Sequence, residues 1–168
     1  MLHHVSVGVR DVERAARFYD SVLGTLGYKR VMEFLPYAVA YGDSAPELWV
    51  QLPQDRNPAS VGNGVHIGFK AKSKQMIVSF HRAALAAGGT DEGAAGPRPD
   101  YGPDYFGAFV RDLDGNKLEA VLSPEAATKR QAAGKAKTRR KKSKAKTVKR
   151  KTAKRKSAGR KKRAKAKK

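Results

Sequence analysis

Two segments of the chain show the same order of hydrophobic and polar positions. In HHVSVGVRDVERAARFYDSVLGTLGY, alternating valines precede apolar residues at helical spacing, which predicts a strand and then an amphipathic helix that begins after Asp11. VHIGFKAKSKQMIVSFHRAALAAGGT repeats this order, with Ser73 before the helix. The two segments align without a gap at an offset of 62 positions, which matches His4 with His66. The pattern therefore predicts one structural unit present twice.

Three strand-like runs follow each predicted helix. They are YKRVMEF, YAVAYG and ELWVQL in the first half, and TDEG, YFGAFVRD and NKLEAVL in the second. Each half is then βαβββ, and the predicted fold class is α+β with two paired βαβββ modules, at about 1–55 and 62–123, in a domain of residues 1–125. Matching Glu47 with Glu119 requires ten extra residues in the second half, and we expect EGAAGPRPDYGPDYFG to supply them as a loop.

Alternation along the strands places four polar residues opposite the predicted helix-packing face. If the faces of the two sheets that lie opposite the helices curve toward each other, His4, His66 and Glu119 lie together in one concave site. Two imidazoles and a carboxylate fit a divalent ion with open positions, and Glu47 extends them to a His₂Glu₂ set. The alternative is a solvated polar sheet face without a metal. His3, at the start of the strand on the helix-facing side, is predicted to be structural.

Several motifs together resemble the vicinal oxygen chelate superfamily, which includes glyoxalase I, extradiol dioxygenases, fosfomycin-resistance enzymes and bleomycin-binding proteins. HHVSVGVRDVERAARFYDSVLGTLGY resembles its first strand and helix, VHIGF its fifth strand, and RDLDGNKLEAV its last hairpin, so the resemblance covers residues 2–123. It implies a divalent metal (Zn, Ni, Mn or Fe) held by His4, His66 and Glu119, with Glu47 as a fourth ligand. The implied activity is that of a metal-dependent lyase, isomerase or dioxygenase acting on a small substrate that chelates the ion through neighbouring oxygens.

Departures from the family pattern narrow the expected reaction. Phe109 and Gln51 stand where catechol dioxygenases of the superfamily have a tyrosine and a histidine, and Gly8 stands where glyoxalase I has an arginine for the glutathione carboxylate. Both of those specific activities are therefore disfavoured. A protein that sequesters a drug or metabolite without turnover is the alternative. The candidate proton carriers are Glu119 and Glu47, and the candidate substrate contacts are Trp49, Tyr101, Tyr105 and Lys117.

Charge distinguishes the end of the chain from the rest. Residues 129–168 contain 23 Lys or Arg and no acidic residue, whereas residues 1–128 contain 13 basic and 15 acidic residues. We expect residues 126–168 to be a disordered tail, similar in composition to linker-histone tails, that binds nucleic acid non-specifically. A solubilising extension is one alternative, and a folded domain that is only cargo for this tail is another. The candidate nucleic-acid contacts are Arg139, Arg140, Lys141, Lys142, Lys149, Arg150, Lys151, Arg160, Lys161, Lys162 and Arg163.

Composition also bears on compartment and partners. The chain has no cysteine, which excludes disulfides and thiolate metal sites. We expect no membrane segment and a cytoplasmic location, with nucleoid association through the tail, because no leader or apolar run of about 18 residues is present. The pattern leaves open whether the two modules pair within one chain or across a homodimer.

Overall fold

The structure is a computed structural model that describes residues 2–122. These residues form the predicted order of elements, βαβββ twice, with a short 3-10 turn between the sixth and seventh strands. The bounds are β1 (Val5–Gly8), α1 (Val12–Gly24), β2 (Lys29–Phe34), β3 (Ala38–Gly42), β4 (Leu48–Gln51), β5 (His66–Ala71), α2 (Lys74–Ala86), β6 (Thr90–Pro97), β7 (Phe106–Arg111) and β8 (Lys117–Leu122).

Each module forms its own four-stranded sheet. The strand orders are β1-β4-β3-β2 and β5-β8-β7-β6. In both sheets the first strand of the module pairs in parallel with the last, and the remaining neighbours pair antiparallel. The predicted tail, residues 126–168, lies outside the described residues. Within residues 2–122, no helix is long and apolar enough to cross a membrane.

Both helices begin at the predicted residues. The Asp11 carboxylate accepts a hydrogen bond from the Arg14 N–H at 2.9 Å, and the Ser73 hydroxyl accepts one from the Met76 N–H at 3.3 Å. These are N-cap contacts, which satisfy backbone donors that have no partner in the first helical turn. The apolar faces of both helices are buried against the sheets, although Leu85, predicted to lie on the apolar face of α2, remains 39% exposed.

The predicted loop of the second module is shorter than expected. β6 continues through Pro97, and β7 begins at Phe106, so both ends of EGAAGPRPDYGPDYFG are strand. Gly93 pairs with Phe109 and Pro97 pairs with Phe106, with register shifts along the ladder. β6 is the edge strand of its sheet, and an edge strand accommodates proline because one side of its backbone needs no partner.

A buried hydrogen bond connects the first helix to the last hairpin. The Tyr19 hydroxyl donates to Asp112 Oδ2 at 2.7 Å, and both residues are buried. Asp112 also accepts from the backbone N–H groups of Asp114 and Asn116 at 2.9 and 2.8 Å, within a turn where Gly115 has the positive φ of 94° expected for Asp-Gly. Burial and the Asp112 charge raise the pKa of Tyr19 well above its ordinary value. The hydroxyl therefore remains a donor at any physiological pH.

We predict that Asp112→Ala lowers the free energy of unfolding by about 3 kcal/mol, because it leaves a buried hydroxyl and two turn N–H groups without their acceptor. Tyr19→Phe removes one donor to a carboxylate and costs about 2 kcal/mol. Urea denaturation measures both changes. Tyr28→Phe is the control: its exposed hydroxyl lies 3.5 Å from the Lys70 carbonyl, and its loss costs under about 0.5 kcal/mol. If Asp112→Ala lowered the free energy of unfolding no more than Tyr28→Phe, the Tyr19–Asp112 hydrogen bond would not stabilise the fold.

Candidate functional site

Two of the predicted metal ligands lie together in the second module. The parallel pairing of β5 with β8 sets Gly68 beside Glu119, and His66 is two residues earlier on the same face of β5. His66 Nε2 lies 3.3 Å from Glu119 Oε2. Glu119 is 3% exposed, whereas 48% of the His66 side chain is exposed. The pair is thus a buried carboxylate with an imidazole on its solvent side, and these two groups provide donor types that divalent ions bind.

A tyrosine occupies the other oxygen of this carboxylate. The Tyr105 hydroxyl donates to Glu119 Oε1. Burial, and then the hydrogen bond and charge of Glu119, raise the pKa of Tyr105 to about 12. Gly107 makes room for the carboxylate, because a Cβ there would lie 3.0 Å from Oε1. The Tyr101 ring packs edge-on against Tyr105 with centroids 5.2 Å apart, so one predicted substrate-contact tyrosine contacts Glu119 and the other packs against the first.

The Phe109 side chain lies on the same face of the second sheet as Glu119 and has two cationic side chains near its ring. Its ring centroid lies 6.2 Å from that of His66, in an edge-on arrangement. Lys117 Nζ lies 5.5 Å from the ring centre but also 3.3 Å from Glu92, so this predicted substrate contact is paired with a carboxylate. Arg98 Cζ lies 5.7 Å from the ring centre. Arg98 was not among the sequence candidates, because no periodicity or motif marks a lone arginine between a strand and a turn.

The other two predicted ligands lie together at one end of the first sheet. β1 begins at Val5 and β4 at Leu48, so His4 and Glu47 each precede a strand rather than lie within it. Both line a pocket of about 380 Å³ whose walls include Leu23, Tyr28 and Tyr41. After burial, the charge of Glu47 is the next contribution that raises the pKa of Tyr28.

His3 differs from its predicted position. It is exposed instead of facing the helix, and its Nδ1 lies 2.8 Å from His4 Nδ1. The physical reason is that β1 starts two residues later, which leaves His3 outside the alternation of the strand. At that distance one ring nitrogen donates and the other accepts.

Within residues 2–122, no three His, Cys, Asp or Glu side chains lie close enough together to hold a metal ion. Within one chain, His66 lies beside Glu119, whereas His4 and Glu47 line one pocket that also includes Gly68 of β5. Their convergence on one ion stays a prediction.

The strand register changes the expected match between the two modules. Val5 pairs with Leu48 and Ile67 pairs with Leu118. The first residues of these pairs are 62 positions apart and the second residues are 70 apart, so the second module has eight extra residues rather than ten. The counterpart of Glu119 is consequently Trp49, which stacks on Phe34 with centroids 6.2 Å apart.

This register removes the structural basis for treating Glu47 as the equivalent of Glu119. An indole offers no anionic oxygen, so the duplicated fold repeats the histidine position and not the carboxylate position. The donor set that the register supports is two imidazoles and one carboxylate, which suits a divalent ion with open coordination positions.

Comparison with known proteins agrees with this fold. Residues 1–120 match the Glyoxalase/Bleomycin resistance protein/Dioxygenase superfamily. A lactoylglutathione lyase of Haemophilus influenzae is 31% identical over 126 residues, which are 70% of this chain and 89% of that protein. A glyoxalase/bleomycin resistance protein from Albidiferax ferrireducens T118 is 39% identical with a TM-score of 0.65, over 74% of this chain and 99% of that one.

A glyoxalase-related enzyme from Fulvimarina pelagi shares the fold at 23% identity, with a TM-score of 0.59 over 74% of this chain and 88% of that chain. The family match spans most of the chain and includes both βαβββ modules. The chain therefore belongs to the glyoxalase/bleomycin resistance protein/dioxygenase superfamily.

Proposed function

We propose that the protein is a divalent-metal-dependent enzyme of glyoxalase type that acts on a small substrate with neighbouring oxygens. The observation that carries this proposal is the His66–Glu119 pair, a buried carboxylate 3.3 Å from an exposed imidazole. The relative named lactoylglutathione lyase supports the reaction class. Because Gly8 stands where glyoxalase I has an arginine for glutathione, the substrate of this chain is left unassigned.

We further propose that the metal site is completed by a second copy of the chain. His66 and Glu119 of one copy would hold the ion together with His4 of the other, because no three such side chains converge within residues 2–122. The open face of the first sheet offers a surface for this contact, since Phe34 and Tyr37 of the β2–β3 hairpin are 54% and 68% exposed. Apolar surface of this kind is commonly buried between subunits.

The chain's own residues would divide the work as follows. Tyr105, protonated below its raised pKa, holds Oε1 of Glu119 and leaves Oε2 directed toward His66. Oε2 is therefore the oxygen that would hold the ion and, when released from it, carry a proton to or from a substrate carbon. The apolar Phe109 ring lies opposite Glu119 in the β7–β8 ladder. When bound, the divalent ion would supply Lewis-acid stabilisation of an enolate or oxyanion.

Binding without turnover is the second candidate for the folded domain. The stacked Phe34 and Trp49 rings offer an aromatic surface to a planar ligand, and the relative from Albidiferax ferrireducens is named a glyoxalase/bleomycin resistance protein. Under this alternative, a ligand would stabilise the protein equally before and after chelator treatment.

For the tail, residues 126–168, we propose non-specific nucleic-acid binding. The support is its charge, 23 Lys or Arg within residues 129–168 with no acidic residue. Neutralising phosphates releases condensed counterions, which favours binding and makes it salt-sensitive. The tail has no aromatic residue, so stacking on exposed bases would contribute nothing.

A complementation experiment tests the shared metal site. We predict that His4→Ala and His66→Ala each abolish stoichiometric Ni²⁺ or Zn²⁺ uptake, because each removes a ligand from both sites of a homodimer. A co-expressed mixture of the two variants recovers uptake at one site per heterodimer, since that site contains neither substitution. Isothermal titration of tagged heterodimers measures this.

The matched control is His81→Ala. The His81 imidazole lies on the other side of the second sheet, where it is hydrogen-bonded to Asp91. It should leave metal uptake unchanged. Failure of the mixture to recover uptake, with each single variant folded, would contradict a site shared between copies.

The Tyr105–Glu119 contact predicts a high-pH transition. Because the folded pKa of about 12 lies above the ordinary value of 10.0, the stabilisation from this hydroxyl is complete below about pH 10 and is lost as pH rises toward 12. The Cζ resonance of ¹³C-labelled Tyr105 reports its midpoint. Glu119→Gln should lower that midpoint only partly, since burial remains, and Glu92→Gln should leave it unchanged. A wild-type midpoint near 10 in the folded protein would be the contrary result.

DNA affinity tests the tail. We expect the full chain to lose about 10³-fold or more in affinity between 50 and 200 mM salt, if at least about six phosphates are contacted. Replacing Arg139, Arg140, Lys141 and Lys142 with alanine should flatten the salt dependence. Fluorescence anisotropy with a duplex of arbitrary sequence measures both. Comparable binding by a chain ending at Ser123 would show that the tail is not responsible.

A further inference from the structure

Arg98 is held in one position by the backbone around it. Its guanidinium donates from Nη1 to the Pro97 carbonyl at 3.1 Å and from Nη2 to the Ala94 carbonyl at 2.8 Å. Gly93 and Gly96 leave the space that the side chain fills, because a Cβ at these positions would lie 3.1 and 3.2 Å from guanidinium nitrogens. A fixed guanidinium loses less conformational entropy when it binds a ligand.

This guanidinium lies on the same face of the second sheet as His66 and Glu119. Its Cζ is 5.7 Å from the centre of the Phe109 ring, and that ring is 6.2 Å from the His66 ring. The Arg98 N–H also donates to the Tyr105 carbonyl at 3.0 Å, and the Tyr105 hydroxyl donates to Glu119. The guanidinium and the His66 imidazole thus both lie next to the Phe109 ring, so one small molecule bound over this ring would contact both.

The charge of Arg98 has no counterpart among the described residues. The cations beside it are matched: Arg111 Nε lies 2.7 Å and Lys117 Nζ 3.3 Å from oxygens of Glu92. Within residues 2–122, Arg98 makes no ion pair within 4.0 Å, and both of its acceptors are neutral carbonyls. A partly buried cation without a matching anion favours binding of one.

We infer that Arg98 forms a subsite for a carboxylate of a small molecule whose other end lies at His66 and Glu119, an inference that rests on the proposed function. A guanidinium matches the two oxygens of a carboxylate through parallel N–H donors. One carboxylate carries the single negative charge that Arg98 neutralises. A phosphoryl group would bring two negative charges near the carboxylates of Glu119 and Glu92, and Arg98 neutralises only one of them. Arg98, rather than the paired Lys117, therefore selects an anionic substrate.

The test uses full-length, metal-free protein and two probes of the same shape, propionate and propionamide, at constant ionic strength. The readout is the ¹H–¹⁵N resonance of the Arg98 Nε–H, assigned by its absence in Arg98→Gln. Propionate should shift this resonance to saturation, and propionamide should not. In Arg98→Gln, the Kd for propionate, followed on backbone resonances of residues 93–109, should rise at least about tenfold. Arg98→Lys keeps the positive charge but lacks the parallel N–H donors of the guanidinium, so it should give an intermediate Kd for propionate.

Arg82→Gln is the matched control, because it removes one exposed arginine from α2 on the opposite side of the sheet; it should bind propionate like the wild type. Equal propionate affinity in Arg98→Gln and wild type would overturn the subsite, as would equal binding of the acid and the amide. A purely structural role would change stability but not this preference. Since neither probe needs a metal, loss of the subsite and loss of metal uptake are separate results.

Discussion

In each module the first strand is hydrogen-bonded in parallel to the last, and this pairing decides which distant residues become neighbours. In the second module it brings Glu119 next to Gly68, so that a carboxylate and the His66 imidazole approach to 3.3 Å across 53 positions of sequence. In the first module the same register places Trp49 where a second carboxylate would stand. The duplication has therefore preserved the backbone and the histidine position but not the carboxylate position, which only the second module fills.

The environment of Glu119 explains how a carboxylate is accommodated at a buried position. Removing a charge from water is unfavourable unless hydrogen bonds or an opposite charge replace the lost solvation. Tyr105 supplies a hydrogen bond to one oxygen, His66 lies against the other, and Gly107 leaves the space that the carboxylate occupies. A cation beside His66 would complete this compensation. The same face also contains Arg98, which makes no ion pair within residues 2–122, so the electrostatics of this face favour a ligand that combines metal-binding oxygens with an anionic group.

Local signals in the sequence predicted more of the fold than of the site. Helical periodicity and the cap residues Asp11 and Ser73 depend on near neighbours, and both helices begin where expected. Strand register depends on pairing between distant segments. Matching Glu47 with Glu119 in the sequence required ten extra residues in the second module, whereas the strand pairing shows eight. Arg98 escaped prediction for the same reason, because its guanidinium comes near the Phe109 ring only when β6 pairs with β7.

In the proposed metal site, His66 and Glu119 of one chain bind a divalent ion together with His4 of a second copy. Crystals of the full-length protein grown with Ni²⁺ and measured at wavelengths on either side of the nickel absorption edge would test this arrangement. We expect an anomalous peak about 2 Å from His66 Nε2, from a Glu119 oxygen and from a His4 nitrogen of another molecule. A peak at His66 and Glu119 without His4, or no peak at this pair in nickel-loaded crystals, would contradict it.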